Sequence, residues 1–376
     1  MLRTTIVFGF CLLLLAPTLS AAHTTPAAPG VDIALLLDTS NSMDGLINQA
    51  KSQLWTIVQE FAAAKKAGCA PALRVALFEY GNTNLPAREG YIRQVVPLGD
   101  DLDALSEALF ALQTKGGDEY CGQVIDEAIT RLDWTAAADS YRAIFIAGNE
   151  PFTQGGVDFH DSCGRAVERS IVVNTIHCGD HRTGVDGKWA EGARLGRGEA
   201  LNIDQDREVV QIRCPQDDRI LRLNEDLNGT YIWFGAKKER DYFGSNQSVQ
   251  DENAGSLSPS VAVKRSITKA GAMYRNSGRD LVDSYADDRD ILDKVPTANL
   301  PEDMQAMTPD QRREHLESMR AERQEIQAEI AQLAAARDEY LAAEMQRRAA
   351  AGDDETLGGA IVKAVRTQLA GAGFDR

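Results

Sequence analysis

The sequence is poor in the features that several common classes of protein require. Basic residues number 40 against 56 acidic ones, which gives a formal charge of −16 at pH 7. A chain this acidic repels nucleic acid and anionic membrane surfaces, so we expect neither as a partner. Beyond the first residues, no apolar run is long enough to cross a bilayer, which predicts no transmembrane span in the mature protein.

Recognisable catalytic motifs are also missing. The chain has no Gly-x-Ser-x-Gly sequence and no adjacent pair of nucleophile and base of the kind that a hydrolase needs. His160, Cys163, His177, Cys178 and His181 are residue types that bind zinc, but their spacing matches no structural zinc pattern. We therefore expect a protein that is not an enzyme. A hydrolase that uses a cation to activate water is the least favoured alternative.

The first residues have the pattern of an export signal. Arg3 precedes the apolar stretch from Ile6 to Ala16, and the small residues Ser20-Ala21-Ala22 follow. This arrangement predicts a cleaved signal peptide at 1–22, with an uncleaved anchor as the alternative. We expect the mature protein to be periplasmic or secreted.

The most informative segment lies where the next apolar run ends. Val31 to Leu37 has the composition of a strand buried on both faces, and Asp38, Ser40 and Ser42 follow it directly. Apolar residues then recur at helical spacing from Ile47 to Phe61. A carboxylate and two hydroxyls on one tight turn are the oxygen ligands that Mg²⁺ or Mn²⁺ prefers. The alternative interpretation is a turn with an ordinary helix N-cap.

Further predicted strands alternate with predicted helices along the chain. These strands are expected at 73–80, 91–96, 143–147, 171–176 and 200–203. The first two of them can pair as a hairpin across a turn, and a helix at 217–227 follows the last one. Strands that alternate with helices indicate an α/β fold with a parallel sheet.

Over residues 31–235 the sequence resembles the von Willebrand factor A domain, whose metal-ion-dependent adhesion site opens with Asp-x-Ser-x-Ser at the end of the first strand. The resemblance implies a doubly wound, mostly parallel sheet. It also implies a divalent cation, Mg²⁺ or alternatively Mn²⁺ or Ca²⁺, in the crevice at the carboxyl ends of the strands. In that family the cation accepts an acidic side chain from a protein partner.

Two ligand positions depart from the pattern of that family. Where the family usually has Thr after Gly-Gly, this chain has Asp118 after Gly116-Gly117. Gly148 stands where the family has its last Asp, so Asn149 or Glu150 would have to supply an oxygen. The resemblance thus implies a variant site made of Asp38, Ser40, Ser42 and Asp118, with Asn149 and Glu150 as further candidates. A carboxylate at 118 predicts a weaker preference for an anionic ligand.

Five cysteines follow the predicted signal peptide. In an oxidising compartment, cysteines are expected to pair as disulfides. The topology of the family would bring Cys121, Cys163, Cys178 and Cys214 to the metal-bearing edge of the sheet and Cys69 to the opposite edge. The resemblance therefore implies two bridges among these four cysteines, for which Cys121 with Cys163 and Cys178 with Cys214 is one arrangement, with Cys69 free.

The remainder of the chain is predicted to be helical or irregular. Residues 236–306 are expected to form a polar linker or extended arm followed by short helices, and residues 307–376 to form a C-terminal helical region. The last amphipathic piece, at 357–369, either folds back or binds elsewhere.

A long helix is predicted within the C-terminal region. Thr308-Pro309-Asp310-Gln311 forms a capping box with proline at the first helical position, and no Gly or Pro follows before Ala351. Only half of the seam is apolar, because Arg323, Arg337 and Glu344 occupy the other positions. The helix is therefore only partly coiled-coil-like. Packing on the body of the protein and self-association through this helix are both open.

Two functions compete at this point. The first is an exported interaction module, for adhesion or scaffolding, that binds a divalent cation at the Asp-x-Ser-x-Ser turn and engages a protein partner there. The alternative is a metal-free envelope scaffold that acts through its C-terminal helices, which Gly148 at an expected ligand position favours.

Overall fold

A six-stranded sheet forms the centre of the computed structural model, which describes residues 30–203, 212–350 and 357–375. The predicted signal peptide lies outside these residues. The strands are β1 (Gly30–Asp38), β2 (Ala72–Tyr80), β3 (Ile92–Gly99), β4 (Tyr141–Gly148), β5 (Val172–Cys178) and β6 (Arg197–Ile203). Their order is β3-β2-β1-β4-β5-β6, and only the β2–β3 pairing is antiparallel. The predicted α/β fold with a mostly parallel sheet is confirmed.

Helices cover both faces of this sheet. They are α1 (Ile47–Ala62), α2 (Leu102–Ala111), α3 (Cys121–Arg131), α4 (Phe159–Glu168), α5 (His181–Asp186) and α6 (Trp189–Leu195). The next helix, α7 (Asp217–Gly229), packs on helices of the second half of the chain instead. All of β1 is buried, and its side chains alternate between two cores. Leu35 belongs to the core that contains Leu54 of α1, and Leu36 to the core that contains Ile125 of α3.

The second half of the chain is helical. It contains α8 (Lys237–Leu257), α9 (Pro259–Ala270), α10 (Leu281–Asp287), α11 (Ile291–Lys294), α12 (Glu302–Gln305), α13 (Pro309–Ala350) and α14 (Leu357–Gly371). The helical C-terminal region with a long helix is thus confirmed. Within the described ranges, none of the helices combines the length and the apolar character needed to cross a bilayer.

The prediction of a linker or extended arm after residue 236 is wrong, because α8 occupies this segment. The buried face of α8 is made largely of amides: Gln250 accepts a hydrogen bond of 2.9 Å from Ser106 of α2, and Gln247 donates one of 3.1 Å to Tyr274. Both glutamines are at most 2% exposed. An amide face gives no apolar periodicity, so the pattern that reveals other helices is absent here.

A buried ionic network joins α8 and α9 to the sheet-bearing part. Arg265 is 2% exposed and donates to Asp103 of α2 at 2.8 Å and to Asp251 of α8 at 2.6 Å. Lys269 pairs with Asp251 at 2.7 Å, and the Tyr274 hydroxyl donates to Asp103. Each buried charge therefore has an opposite charge beside it, as burial requires.

The long helix α13 packs on the body of its own chain, which is one of the two arrangements that the sequence leaves open. The seam residues Leu316 and Ile330 have no exposed surface. Arg323 and Arg337 are also buried, and they pair with Asp280 and Asp217 respectively. The seam that self-association would need is thus engaged within the chain.

The predicted disulfides are a second correction. All five cysteines of the described residues are free thiols. Cys121 and Cys163 share one core, and Cys178 belongs to the core on the opposite face of the sheet. The thiols of Cys178 and Cys214 each donate to the backbone carbonyl two residues earlier, at 3.8 and 3.7 Å. Burial raises the pKa of these thiols, so they behave as small apolar residues. Cys69 is free, as predicted, and exposed.

Candidate functional site

The carboxyl ends of three neighbouring strands meet at one edge of the sheet. Asp38 ends β1, Tyr80 ends β2 opposite it, and Gly148 ends β4 on the other side. Because these strands are parallel, the turns that follow them lie side by side. Such an edge is the usual position of a ligand in an open α/β sheet.

Asp38 is the centre of this cluster. Its side chain has no exposed surface, and its Oδ1 accepts a hydrogen bond of 2.8 Å from the backbone N–H of Ser40. Its Oδ2 is buried and has no hydrogen-bond partner in the described structure. A buried carboxylate oxygen without a partner is costly, and it needs either a proton or a cation.

The two serines and Asn149 lie beside Asp38. The hydroxyls of Ser40 and Ser42 are 2.9 Å apart, and Ser42 donates to Oδ1 of Asn149 at 3.0 Å. Asn149 donates a hydrogen bond of 3.1 Å to the carbonyl of Ser42. Glu150 is near enough for its charge to raise the pKa of Asp38. Five of the six predicted residues, all but Asp118, thus lie near one another.

The second buried carboxylate belongs to Glu119 rather than to its neighbour. Glu119 is 5% exposed, and the nearby side chain of Ser40 lowers its pKa in part. Asp118 is exposed and accepts a bond of 3.1 Å from the hydroxyl of Tyr120. The sequence predicts Asp118 as a ligand because it follows Gly-Gly, and Glu119 was not predicted. The feature that could have indicated Glu119 is that it is a second acid in the same loop.

Both buried carboxyls titrate far above their ordinary range. Burial raises the pKa of Asp38 to about 7, and hydrogen bonding from Ser40 lowers it in part. Burial also raises the pKa of Glu119 to about 7, and the charge of Asp38 adds to this rise. In the part of the chain that the structure describes, neither forms an ion pair with lysine or arginine.

The position of the missing aspartate is closed by Tyr80. A Cβ atom placed on Gly148 would lie 2.4 Å from the Tyr80 hydroxyl and 3.1 Å from Oδ2 of Asp38. The Tyr80 side chain has no exposed surface, and its hydroxyl donates to the carbonyl of Ala147 at 3.1 Å. Glycine at 148 is therefore a packing requirement of this site.

The donor set fits a hard divalent cation. Among the described residues, no group of three or more His, Cys, Asp or Glu side chains could hold a metal ion. The cluster instead combines two carboxylates with serine hydroxyls, and one oxygen of Asp38 lacks a partner. Oxygen ligands of this kind suit Mg²⁺, Mn²⁺ or Ca²⁺, whose charge would offset that of the two acids.

Without added divalent cation, the protein is expected to be more stable at about pH 6 than at about pH 8. The unfolded chain releases the protons of Asp38 and Glu119 near pH 4, whereas the folded chain holds them up to about pH 7. The folded state therefore binds more protons in this window, and stability falls as pH rises through it. Thermal unfolding in a chelator measures the effect. The double substitution Asp38→Asn and Glu119→Gln should reduce the difference, and an equal difference in that variant would contradict this origin.

The comparisons with known proteins agree with this fold. Residues 32–184 match the family model of the von Willebrand factor type A domain, a shorter range than the predicted 31–235. The comparison with curated proteins gives no match.

Several solved structures are similar to part of the chain. BatB from Bacteroides thetaiotaomicron is 18% identical, with a TM-score of 0.36, and the match covers 46% of this chain and 91% of that one. A von Willebrand factor type A structure from Catenulispora acidiphila is 16% identical, with a TM-score of 0.35 and coverage of 48% and 39%. Proximal thread matrix protein 1 from the mussel byssus, with a zinc-occupied MIDAS motif, is 12% identical, with a TM-score of 0.34 and coverage of 48% and 43%.

Domains of this family are generally protein-interaction modules rather than enzymes, and some of them bind a metal ion. The family match spans β1 to β5, which includes the turn that carries Asp38, Ser40 and Ser42. The part of the chain that matches the von Willebrand factor type A domain is thus residues 32–184, and it holds the candidate site.

Proposed function

We propose that this protein is an exported interaction module that binds a divalent cation at the Asp38 turn and engages a protein partner there. The observation that carries the proposal is the unpartnered, buried Oδ2 of Asp38 beside a second buried carboxylate. Export to the periplasm or the exterior is part of the proposal and rests on the signal pattern of residues 1–22.

Each residue of the turn has a distinct part in this proposal. Asp38 and Glu119 would hold the cation through carboxylate oxygens, and Ser40 and Ser42 through hydroxyls. Asn149 already fixes Ser42 through two hydrogen bonds, so it orients a ligand. A bound cation would supply free coordination positions at an exposed rim. The hard oxygen donors favour Mg²⁺, with Mn²⁺ and Ca²⁺ as alternatives.

Asp38→Ala and Ser40→Ala are expected to abolish the binding of Mg²⁺ and Mn²⁺, because each removes an oxygen donor. Calorimetric titration of the purified proteins measures this directly. Asp44→Ala is the matched control, since Asp44 is an exposed acid near the same turn whose carboxylate accepts a hydrogen bond from Thr114. Equal heats for the wild type and Asp38→Ala would contradict a cation site at this turn.

The metal-free scaffold is the second candidate, because Gly148 leaves no space for the last family ligand. Its interaction surface would be the exposed side of α13, where Tyr340 and Met345 are 39% and 41% exposed. Capture of a partner from envelope extract, with cation and with chelator, separates the two candidates. Under the metal-dependent function, chelator and Asp38→Ala abolish capture. Under the scaffold function, Tyr340→Ala and Met345→Ala do so instead.

A further inference from the structure

The loop that carries Glu119 is fixed against the ends of β1 and β2 by its backbone. Lys115 donates to the carbonyl of Thr39 at 2.8 Å, and Thr83 donates to the carbonyl of Gly116 at 2.7 Å. A Cβ atom on Gly117 would lie 2.3 Å from the carbonyl oxygen of Gly81, so only glycine permits this approach. These backbone contacts therefore fix the position of the loop that carries Glu119.

Glu119 and Asp38 face the same small space. A Cβ atom placed on Gly81 would lie 2.8 Å from Oδ1 of Asp38 and 3.0 Å from Cγ of Glu119. Gly81 has a φ of 76°, which glycine adopts without strain. On the other side of Asp38, the hydroxyl of Tyr80 blocks any side chain at 148. A carboxylate at position 148 is thus excluded from the cluster, and Glu119 supplies a carboxylate from a different position.

We propose that Glu119 is an internal ligand of the cation and that the loaded site accepts a neutral oxygen from its partner rather than a carboxylate. This inference rests on the proposed function. A divalent cation between two carboxylates carries no net charge, and Glu150 adds a negative charge nearby. The loaded site would therefore not attract an acidic side chain electrostatically. A carboxamide, hydroxyl or backbone carbonyl is neutral and can coordinate the cation without such attraction.

Glu119→Gln is expected to lower the affinity for Mg²⁺ and Mn²⁺ at least about tenfold, since even indirect ligands of a metal contribute that much. Asp118→Asn removes the same charge one residue earlier and is expected to leave the affinity unchanged. Calorimetric titration measures both, and circular dichroism checks folding. If Glu119→Gln does not fold, Glu119→Asp replaces it in this experiment, because its shorter side chain withdraws the carboxylate from the cation.

The outcomes separate this inference from the proposed function. Loss of binding in Asp38→Ala with full binding in Glu119→Gln would overturn the internal ligand and leave the cation site standing. Equal losses in Asp118→Asn and Glu119→Gln would overturn it as well, because they would indicate a general effect of charge. Full binding in Asp38→Ala would overturn both.

Acetate tests the predicted chemistry of the partner. With saturating Mn²⁺, the thermal midpoint of the wild type is expected to respond to acetate no more than to chloride at the same ionic strength. Glu119→Gln, which leaves the loaded site positively charged, is expected to gain an acetate-dependent rise. A rise in the wild type that equals the rise in the variant would overturn the preference for a neutral oxygen.

Discussion

Replacing Arg323 by methionine is expected to lower the free energy of unfolding by about 3–5 kcal/mol. Arg323 is 4% exposed and donates to Asp280 at 2.7 and 3.3 Å, to Asp283 at 2.9 Å and to the carbonyl of Thr230 at 2.7 Å. Methionine keeps much of the volume but leaves Asp280, which has no exposed surface, without its cation. Breaking a buried pair costs more than the pair itself contributes, because one charge stays buried.

Urea unfolding followed by circular dichroism measures this loss, and Arg320→Met is the matched control. Arg320 lies one turn earlier on α13, its side chain is 30% exposed, and it pairs with Glu317 at 3.4 Å. A surface pair of this kind contributes at most about 1 kcal/mol. Similar losses in the two variants would contradict the role of burial. Adding Asp280→Asn to Arg323→Met should recover part of the loss, because it removes the uncompensated charge.

The long helix shows what the sequence could and could not predict. Its start follows from local chemistry, and the capping box is present: Thr308 N–H donates to the Gln311 side chain at 2.9 Å, and Gln311 N–H donates to the Thr308 hydroxyl at 3.3 Å. The role of Arg323 depends on Asp280 and Thr230, which are distant in the chain. In the sequence, an arginine at a seam position only interrupts the apolar pattern of the helix. In the structure, Arg323 is buried and paired with Asp280.

The candidate site was predictable to the same extent. Asp38 ends a fully buried strand, and Ser40 and Ser42 follow it, so their common position at the sheet edge follows from the order of elements. The order of elements does not determine whether Asp118 or Glu119 enters the site, because this depends on the conformation of an irregular loop. That conformation is set by the contact between Gly117 and Gly81, which joins two loops far apart in sequence.

Removal of residues 357–376 is expected to unfold the sheet-bearing domain or nearly so. Four side chains of this segment are at most 6% exposed and belong to the same core as Leu35 of β1: Ile361, Val365, Leu369 and Phe374. Burial of each contributes about 1.5–3 kcal/mol, against a total stability of about 5–15 kcal/mol for a typical domain. The C-terminal segment thus completes the core of a domain that begins far from it in sequence.

This dependence limits what a truncation can say about function. A chain without its C-terminal helices would lose partner capture under either proposed function, because the cation site itself depends on the sheet. Substitutions at exposed positions of α13 avoid this ambiguity. The alternative that 357–369 binds elsewhere is also disfavoured, since α14 folds back onto α1 and β6.

A polar contact makes the docking of α14 specific and provides a milder test of the same prediction. Gln368 donates to Oδ1 of Asn174 at 2.6 Å and accepts from the hydroxyl of Tyr141 at 2.5 Å. Gln368→Ala leaves these buried groups short of a partner and should cost about 1–3 kcal/mol, whereas Thr367→Ala, at an exposed position on the same helix, should change stability by no more than about 0.5 kcal/mol. Urea unfolding of both variants and of the truncated chain forms one series. A truncated chain with wild-type stability would show that the sheet does not need α14, and that the buried contacts of Gln368 contribute nothing.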